Sequence, residues 1–313
     1  MTHTEHPVTR TLAVPGARLY SEVRGSGPAL AVVGSPMAAG DFAAFADALA
    51  DRHTVITYDP RGISGSPVDD PAQDSTPELR ADDVAAVLDA VGADTADVFG
   101  SSGGAVTGLA LATRHPDRIR TLVAHEPPLL ELLPDAAEQR AKTDDIVDTF
   151  RRQGVGAAWM KFMTNAGFDV GGGGAPGPAG EPSAQQLSNS RRFFEHELRP
   201  TARYLPDIAA LRGGAARVVV GVGAESGRLN HLPGLAGACR AAGHHARRVS
   251  RRPRWLSHRT SCVRRPADRG PGGLAASVPA ATGSSACCAA ERTVARDRQP
   301  GRTVSRSAPR TAA

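Results

Sequence analysis

"DVFGSSGGAVTG", residues 97–108, sets two serines among four glycines at the junction of two kinds of sequence. Before it, "ADVFG" (96–100) is a short apolar run of strand type; after it, "GGAVTGLALATRHP" (103–116) has helical period. Gly100, Ser102 and Gly104 therefore satisfy G-x-S-x-G in the strand-to-helix context that gives the pattern chemical meaning. A serine on so sharp a turn is forced into a strained backbone and pushed above the carboxyl ends of the strands. Only glycine at 100 and 104 lets the flanking chain pass closely enough. The Gly103 amide, opening the helix, points where an oxyanion would develop. Ser102 is the candidate nucleophile. A phosphate-binding reading needs Gly-Lys-Ser/Thr, or G-x-G-x-x-G at the first strand, and the chain has neither.

Around this junction the chain alternates. Apolar runs rich in Val, Leu and Ala predict strands at 10–14, 17–23, 28–33, 53–58, 96–100, 120–125 and 216–222. Segments of helical period predict helices at 41–52, 76–92 and 103–116, the second capped by Thr76 with Glu78 at its positive end. This is the pattern of an α/β fold with a mostly parallel sheet flanked by helices. Residues 129–202 interrupt it with helical pattern ("DDIVDTFRRQGVGAAWMKFM") and a glycine-rich loop ("GFDVGGGGAPGPAGEP"), as a helical lid inserted over the sheet does. The expected organisation is a first core part over 1–128, the lid over 129–202, the last recognisable strand within 203–230, and a non-native-looking, disordered tail over 231–313.

Charge separates the tail from the rest. Sixteen of the 37 Lys and Arg but three of the 32 Asp and Glu lie from residue 231 onward, so the net charge of +5 is the tail's and the body before it is acidic. Specific nucleic-acid binding is disfavoured, because the basic stretch has no helical face, fold motif or aromatic stacking pattern. All four cysteines (Cys239, Cys262, Cys287, Cys288) fall in the same tail without metal-ligand or disulfide spacing, so no metal and no cofactor is expected. With no apolar run behind a basic start and no window of membrane-span length, the expected location is the cytoplasm and no membrane partner is expected. A small-molecule substrate is.

Together, "GSSGG", "YDPRGISGSP" (58–67), "RHPDRIRTLVAHEPP" (114–128) and "FFEHELRPTARYLPDIAALR" (193–212) resemble the bacterial α/β-hydrolases of the broad esterase-like group, over residues 10–230. The resemblance implies a serine hydrolase cleaving an ester-type acyl bond: Ser102 attacks, a histidine takes its proton, and an acid orients the histidine. It also implies a second oxyanion amide after the third strand, where "VGSPM" makes Ser35 the donor in place of the usual His-Gly. For the acid it implies a turn after the strand at 216–222; Glu225 stands there, one place from the usual Asp, and Glu126 after "LVAH" is the alternative. An epoxide hydrolase or dehalogenase would carry Asp where Ser102 stands. His125, His196 and His115 read as structural: a packed residue at a strand end, a residue of the lid, and a cation at a helix terminus, with His125 and His196 the alternative candidates for the base.

The triad order of this family puts the histidine last, beyond 230, in a loop of P-G-x-H type. Residues 247–257 instead read "RRVSRRPRWLS". Shifted by one base, Trp255 (TGG) followed by Leu256 must encode Gly, Arg252–Pro253 can encode Asp, and Pro253–Arg254 can encode His. "RVSRRPRWLS" can then read E-F-P-G-D-H-G-G-F-L, and "ACRAAGHHAR" (238–247) can read L-A-E-R-L-G-T-T-P-V, the end of a helix and the start of a strand. A frame change near 225–232 is the expectation. It removes the base, leaves the sheet edge unpaired and an apolar face uncovered, and predicts low solubility and near-inactivity. The alternative is an inactive pseudo-hydrolase that keeps the pocket to bind a ligand.

Overall fold

The computed structural model describes residues 6–168 and 181–223 and the backbone of 247–249. Eight strands form one sheet: β1 (Val8–Val14), β2 (Ala17–Arg24), β3 (Ala29–Val33), β4 (Thr54–Tyr58), β5 (Ala96–Ser101), β6 (Ile119–His125), β7 (Arg217–Gly223) and β8 (Arg247–Val249). Their spatial order is β1-β2-β4-β3-β5-β6-β7-β8. The β1–β2 and β2–β4 pairs are antiparallel, and every later pair is parallel. Each of the seven strands predicted from the apolar runs forms within two residues of its predicted ends.

Alternation along the strands fills two cores. Ala31, Val33 and Val98 face α2 (Pro77–Ala90), α3 (Gly103–Arg114) and α8 (Ile208–Gly213), while Leu30, Val32 and Phe99 face the segment that contains α1 (Ala43–Asp47). Thr76 caps α2 as its sequence predicts, accepting the Leu79 N–H at 3.2 Å. The helix predicted over 41–52 is shorter: a 3₁₀ turn at Ala39–Phe42 leads into α1, and tight turns follow. There the Arg52 and His53 amides both fold back onto the Leu49 carbonyl, delivering the chain directly into β4.

Between β6 and α8 lie α4 (Ala136–Gln153), α5 (Val155–Ala166), α6 (Ala184–Arg192) and α7 (Leu198–Ala202). Gly154, at φ +86°, separates α4 from α5 within the stretch read as one helical pattern. A π turn at Phe193–Glu197 joins α6 to α7. These helices share a core of their own, in which Trp159 stacks on Phe193 (centroids 5.3 Å) and meets Phe194 edge-on (4.9 Å).

The expectation of an unpaired β7 edge is corrected in part. Gly221–Gly223 pair in parallel with Arg247–Val249, because a backbone ladder asks only for an extended segment and not for particular side chains. The rest of the stretch from 231 onward lies outside the described residues.

Candidate active site

Parallel register brings the site together. Ser101 pairs with His125, and His125 with Gly221, so the carboxyl ends of β5, β6 and β7 lie side by side. Ser102 stands first there, half-buried, at φ 54° and ψ −122°, a conformation residues other than glycine seldom hold. Its N–H donates to the His125 carbonyl (2.9 Å), and its carbonyl accepts from Ala105 N–H (2.9 Å), so β6 and α3 fix the turn from both sides. Gly100 and Gly104 are required by space: a Cβ at 100 would lie 2.5 Å from the Gly104 carbonyl oxygen, and one at 104 would run into the Val33 carbonyl.

Gly103 is the first residue of α3, so its amide has no helical acceptor and faces outward at the positive end. Ser35, buried just past β3, lies over it; a Cβ at Gly103 would be 2.7 Å from Ser35 Oγ. The elbow and the β3 turn are thus in contact. Asp59, after β4, supports this corner by accepting the amides of Ala39 and Gly65, each at 2.8 Å, and burial raises its carboxyl above the usual range.

Of the two acids, Glu126 belongs to the described residues. It has φ 51°, its N–H donates to the Gly221 carbonyl (2.9 Å), and its Oε1 accepts the Gly223 N–H (2.9 Å). Its carboxylate is therefore fixed at the ends of β6 and β7, beside the elbow. Glu225 lies outside the described residues.

The histidines have structural surroundings. His125 is buried against Phe99 (centroids 5.9 Å), with Nδ1 3.4 Å from Ser101 Oγ and Nε2 4.0 Å from Glu126 Oε1; it faces the serine before Ser102. Burial lowers its pKa, and Glu126 opposes that shift. His196 pairs with Asp74 (3.0 Å) where the helical insertion meets the core, and His115, at the C-terminal end of α3, pairs with Asp82 (2.7 Å).

Sequence reading missed a buried charge cluster under this corner. Arg61 Nε donates to Asp83 (2.7 Å); Arg80 donates to Thr107 Oγ1 (3.0 Å), the Ser75 carbonyl (2.8 Å) and Thr201 Oγ1 (2.8 Å), and lies 3.4 Å from Glu197. Arg192 donates to the carbonyls of Pro71 and Gln73. The available signal was "FFEHELRP", where Glu197 stands between the Phe193–Phe194 pair and Leu198. No group of three His, Cys, Asp or Glu among the described residues is arranged to hold a metal ion, and no helix among them is long and apolar enough to cross a membrane.

Residues 31–156 match the α/β hydrolase fold family. The chain is 34% identical over 205 residues to the uncharacterized hydrolase YraK of Bacillus subtilis (strain 168), a match spanning 64% of this chain and 72% of that protein. The chain belongs to the α/β hydrolase fold family. The chain is also 35% identical over 123 residues to the zearalenone hydrolase of Cladophialophora bantiana, 37% of this chain and 46% of that protein. A thermophilic esterase from Thermogutta terrifontis superposes with a TM-score of 0.60 at 20% identity, covering 79% of this chain and 89% of that one. The carboxylesterase CesB of Bacillus subtilis does so with 0.55 at 16%, covering 80% and 85%. At these identities the superpositions speak for the α/β hydrolase fold alone.

Proposed function

We propose that the chain descends from a serine hydrolase that cleaves an ester-type acyl bond of a small molecule, with Ser102 as nucleophile. The observation that carries this is the strained Ser102 backbone between β5 and α3, held by hydrogen bonds from two elements. Such strain persists only where the surroundings over-determine it, and here it projects a hydroxyl beside a helix N-terminus. Ser102 Oγ would bond to the acyl carbon while the Gly103 and Ser35 N–H groups receive the oxyanion. Collapse would expel the alcohol, which takes up a proton, and water would then release the acid. Glu126 is supported as the orienting acid by its fixed carboxylate at the strand ends; Glu225 is its rival.

The base is the gap. Among the described residues no histidine is placed to take a proton from Ser102. That favours the reading in which the one-base frame change removed it, leaving a chain nearly inactive by its own residues. It equally motivates a second reading, an inactive pseudo-hydrolase that binds a ligand in the retained pocket.

A fluorophosphonate probe on the purified chain distinguishes them. Slow labelling that disappears in Ser102→Ala, with little turnover of short p-nitrophenyl esters, is expected for an impaired hydrolase. Absence of labelling favours the ligand-binding reading, and ordinary ester turnover overturns the loss of the base. Resequencing through the codons for 220–260 and finding the frame intact relative to a full-length relative would remove the frame change.

A further inference from the structure

Glu197 has no role in the chemistry above, yet its setting is unusual. It ends the π turn between α6 and α7, and while its neighbours Glu195 and His196 reach solvent, its own side chain is fully buried. π turns concentrate at functional positions because the extra residue re-aims a side chain. Glu197 lies 3.4 Å from Arg80, and Ser35 Oγ lies toward its carboxyl. Neither Glu197 oxygen, nor Ser35 Oγ, completes a well-directed hydrogen bond with the described residues, although all three atoms are sealed from solvent. Ser35 in turn rests on Gly103. A continuous contact path runs from the helical insertion, through Glu197 and Ser35, to the two residues whose amides receive the oxyanion.

A second path reaches the same place from below. Arg80, the ion-pair partner of Glu197, donates to Thr107 Oγ1, which donates to the Gly103 carbonyl (3.2 Å). Gly103 is thus held through its carbonyl on the Arg80 side, while Ser35 crowds its Cα on the Glu197 side. A buried ion pair that did no more than fasten the insertion would have no reason to adjoin the β3 turn. Fastening is already supplied by Arg192 on the 71–75 segment and by Asn189, which exchanges two hydrogen bonds with Ser64 (2.8 and 2.9 Å).

We propose that Glu197 is a positioning residue for the oxyanion site: its carboxylate, delivered by the helical insertion, accepts a hydrogen bond from the Ser35 hydroxyl and so holds the Ser35 backbone N–H in line with that of Gly103. The oxyanion site is then complete only when the insertion is seated, which couples substrate enclosure to transition-state stabilisation. The inference rests on the reading of Ser102 as nucleophile, and its test separates the two.

The full chain and its Ser35→Ala, Glu197→Gln and doubly substituted variants are compared in two ways. The first is hydrogen exchange by mass spectrometry. Glu197→Gln is expected to speed amide exchange in the peptide covering 34–42, far from it in sequence, and Ser35→Ala to speed exchange over 193–201. The second is the rate of fluorophosphonate labelling. Each single variant is expected to label on the order of tenfold more slowly at unchanged folded fraction, and the double variant no more slowly than the slower single, because the two side chains act through one another. A purely structural ion pair would lower the thermal midpoint, leave exchange at 34–42 unchanged and give multiplying losses; any of the last two results overturns the proposal. Should Glu197→Gln fail to fold, Ser35→Ala removes only a hydroxyl, and unchanged exchange over 193–201 overturns it alone. If the unsubstituted chain does not label while the exchange coupling appears, the reading of Ser102 falls and the positioning contact stands.

Discussion

Ser102, Glu126 and His125 occupy neighbouring strand ends, but burial assigns them different work. Ser102 and Glu126 both hold positive φ, at 54° and 51°, on either side of a hydrogen bond from Ser102 N–H to the His125 carbonyl. His125 sits between them with its ring enclosed, so its neutral form is favoured. The consequence for stability has a definite sign. A histidine whose folded pKa lies below its ordinary 6.5 leaves the unfolded chain binding more protons beneath that pH. Its contribution is therefore intact above about pH 6.5 and is lost as pH falls toward the folded value, at up to about 1.4 kcal/mol per pH unit. Urea-unfolding curves between pH 7 and pH 5 should show a steeper loss for the unsubstituted chain than for His125→Gln. Equal slopes would mean that this ring does not govern the acid limb. The ring's character was foreseen from its place at a strand end, whereas its contact with Ser101 required the β5–β6 register.

At the scale of elements, α2 connects the core to the helical insertion. Its outer start is set locally: Thr76 caps it, Pro77 occupies its first position and Glu78 sits at its positive end. Its buried face is apolar through Ala81, Val84, Val87 and Leu88, but it also carries Arg80 and Asp83, both buried. Burial raises the Asp83 carboxyl, while Arg61 and then Arg80 pull it back. Removing the cap in Thr76→Ala should lower stability by about 1 kcal/mol, a fall of roughly 2–4 °C in Tm for a chain of this size. A thermal melt showing no shift would mean that tertiary contacts alone hold the helix start. The cap was legible because it depends on residues three apart in sequence. The buried charges were not, because nothing in "TPELRADDVAAVLDA" says that its arginine will meet a glutamate more than a hundred residues later.

For the whole molecule, the eighth strand ties the fold to the reading of the gene. Arg247–Val249 pair with the end of β7, and in the shifted frame the same three positions can read Val-Glu-Phe, as a strand preceding the expected histidine loop. A chain with the frame restored near 225–232 should therefore melt higher, stay more soluble and hydrolyse short p-nitrophenyl esters. In that chain, loss of the orienting acid should lower kcat by about 10⁴. Glu126→Gln is the expected site of that loss, and a comparable loss in Glu225→Gln with Glu126→Gln unaffected would transfer the role. Restoration without any gain in turnover would count against both the frame change and the serine chemistry.

Residues close in sequence determined much of this protein. Period-two and helical runs set seven strands and the main core helices, and the glycines flanking Ser102 set the elbow, because backbone sterics and side-chain alternation act over a few residues. The tertiary structure alone decided where these carboxylates are held. Glu126 is fixed by a Gly223 amide on another strand, and Glu197 is buried against Ser35 and Arg80 from two further elements. Such placements depend on strand register and on how the insertion seats, and a buried charge becomes stable only once the long-range partners that compensate it have been brought together.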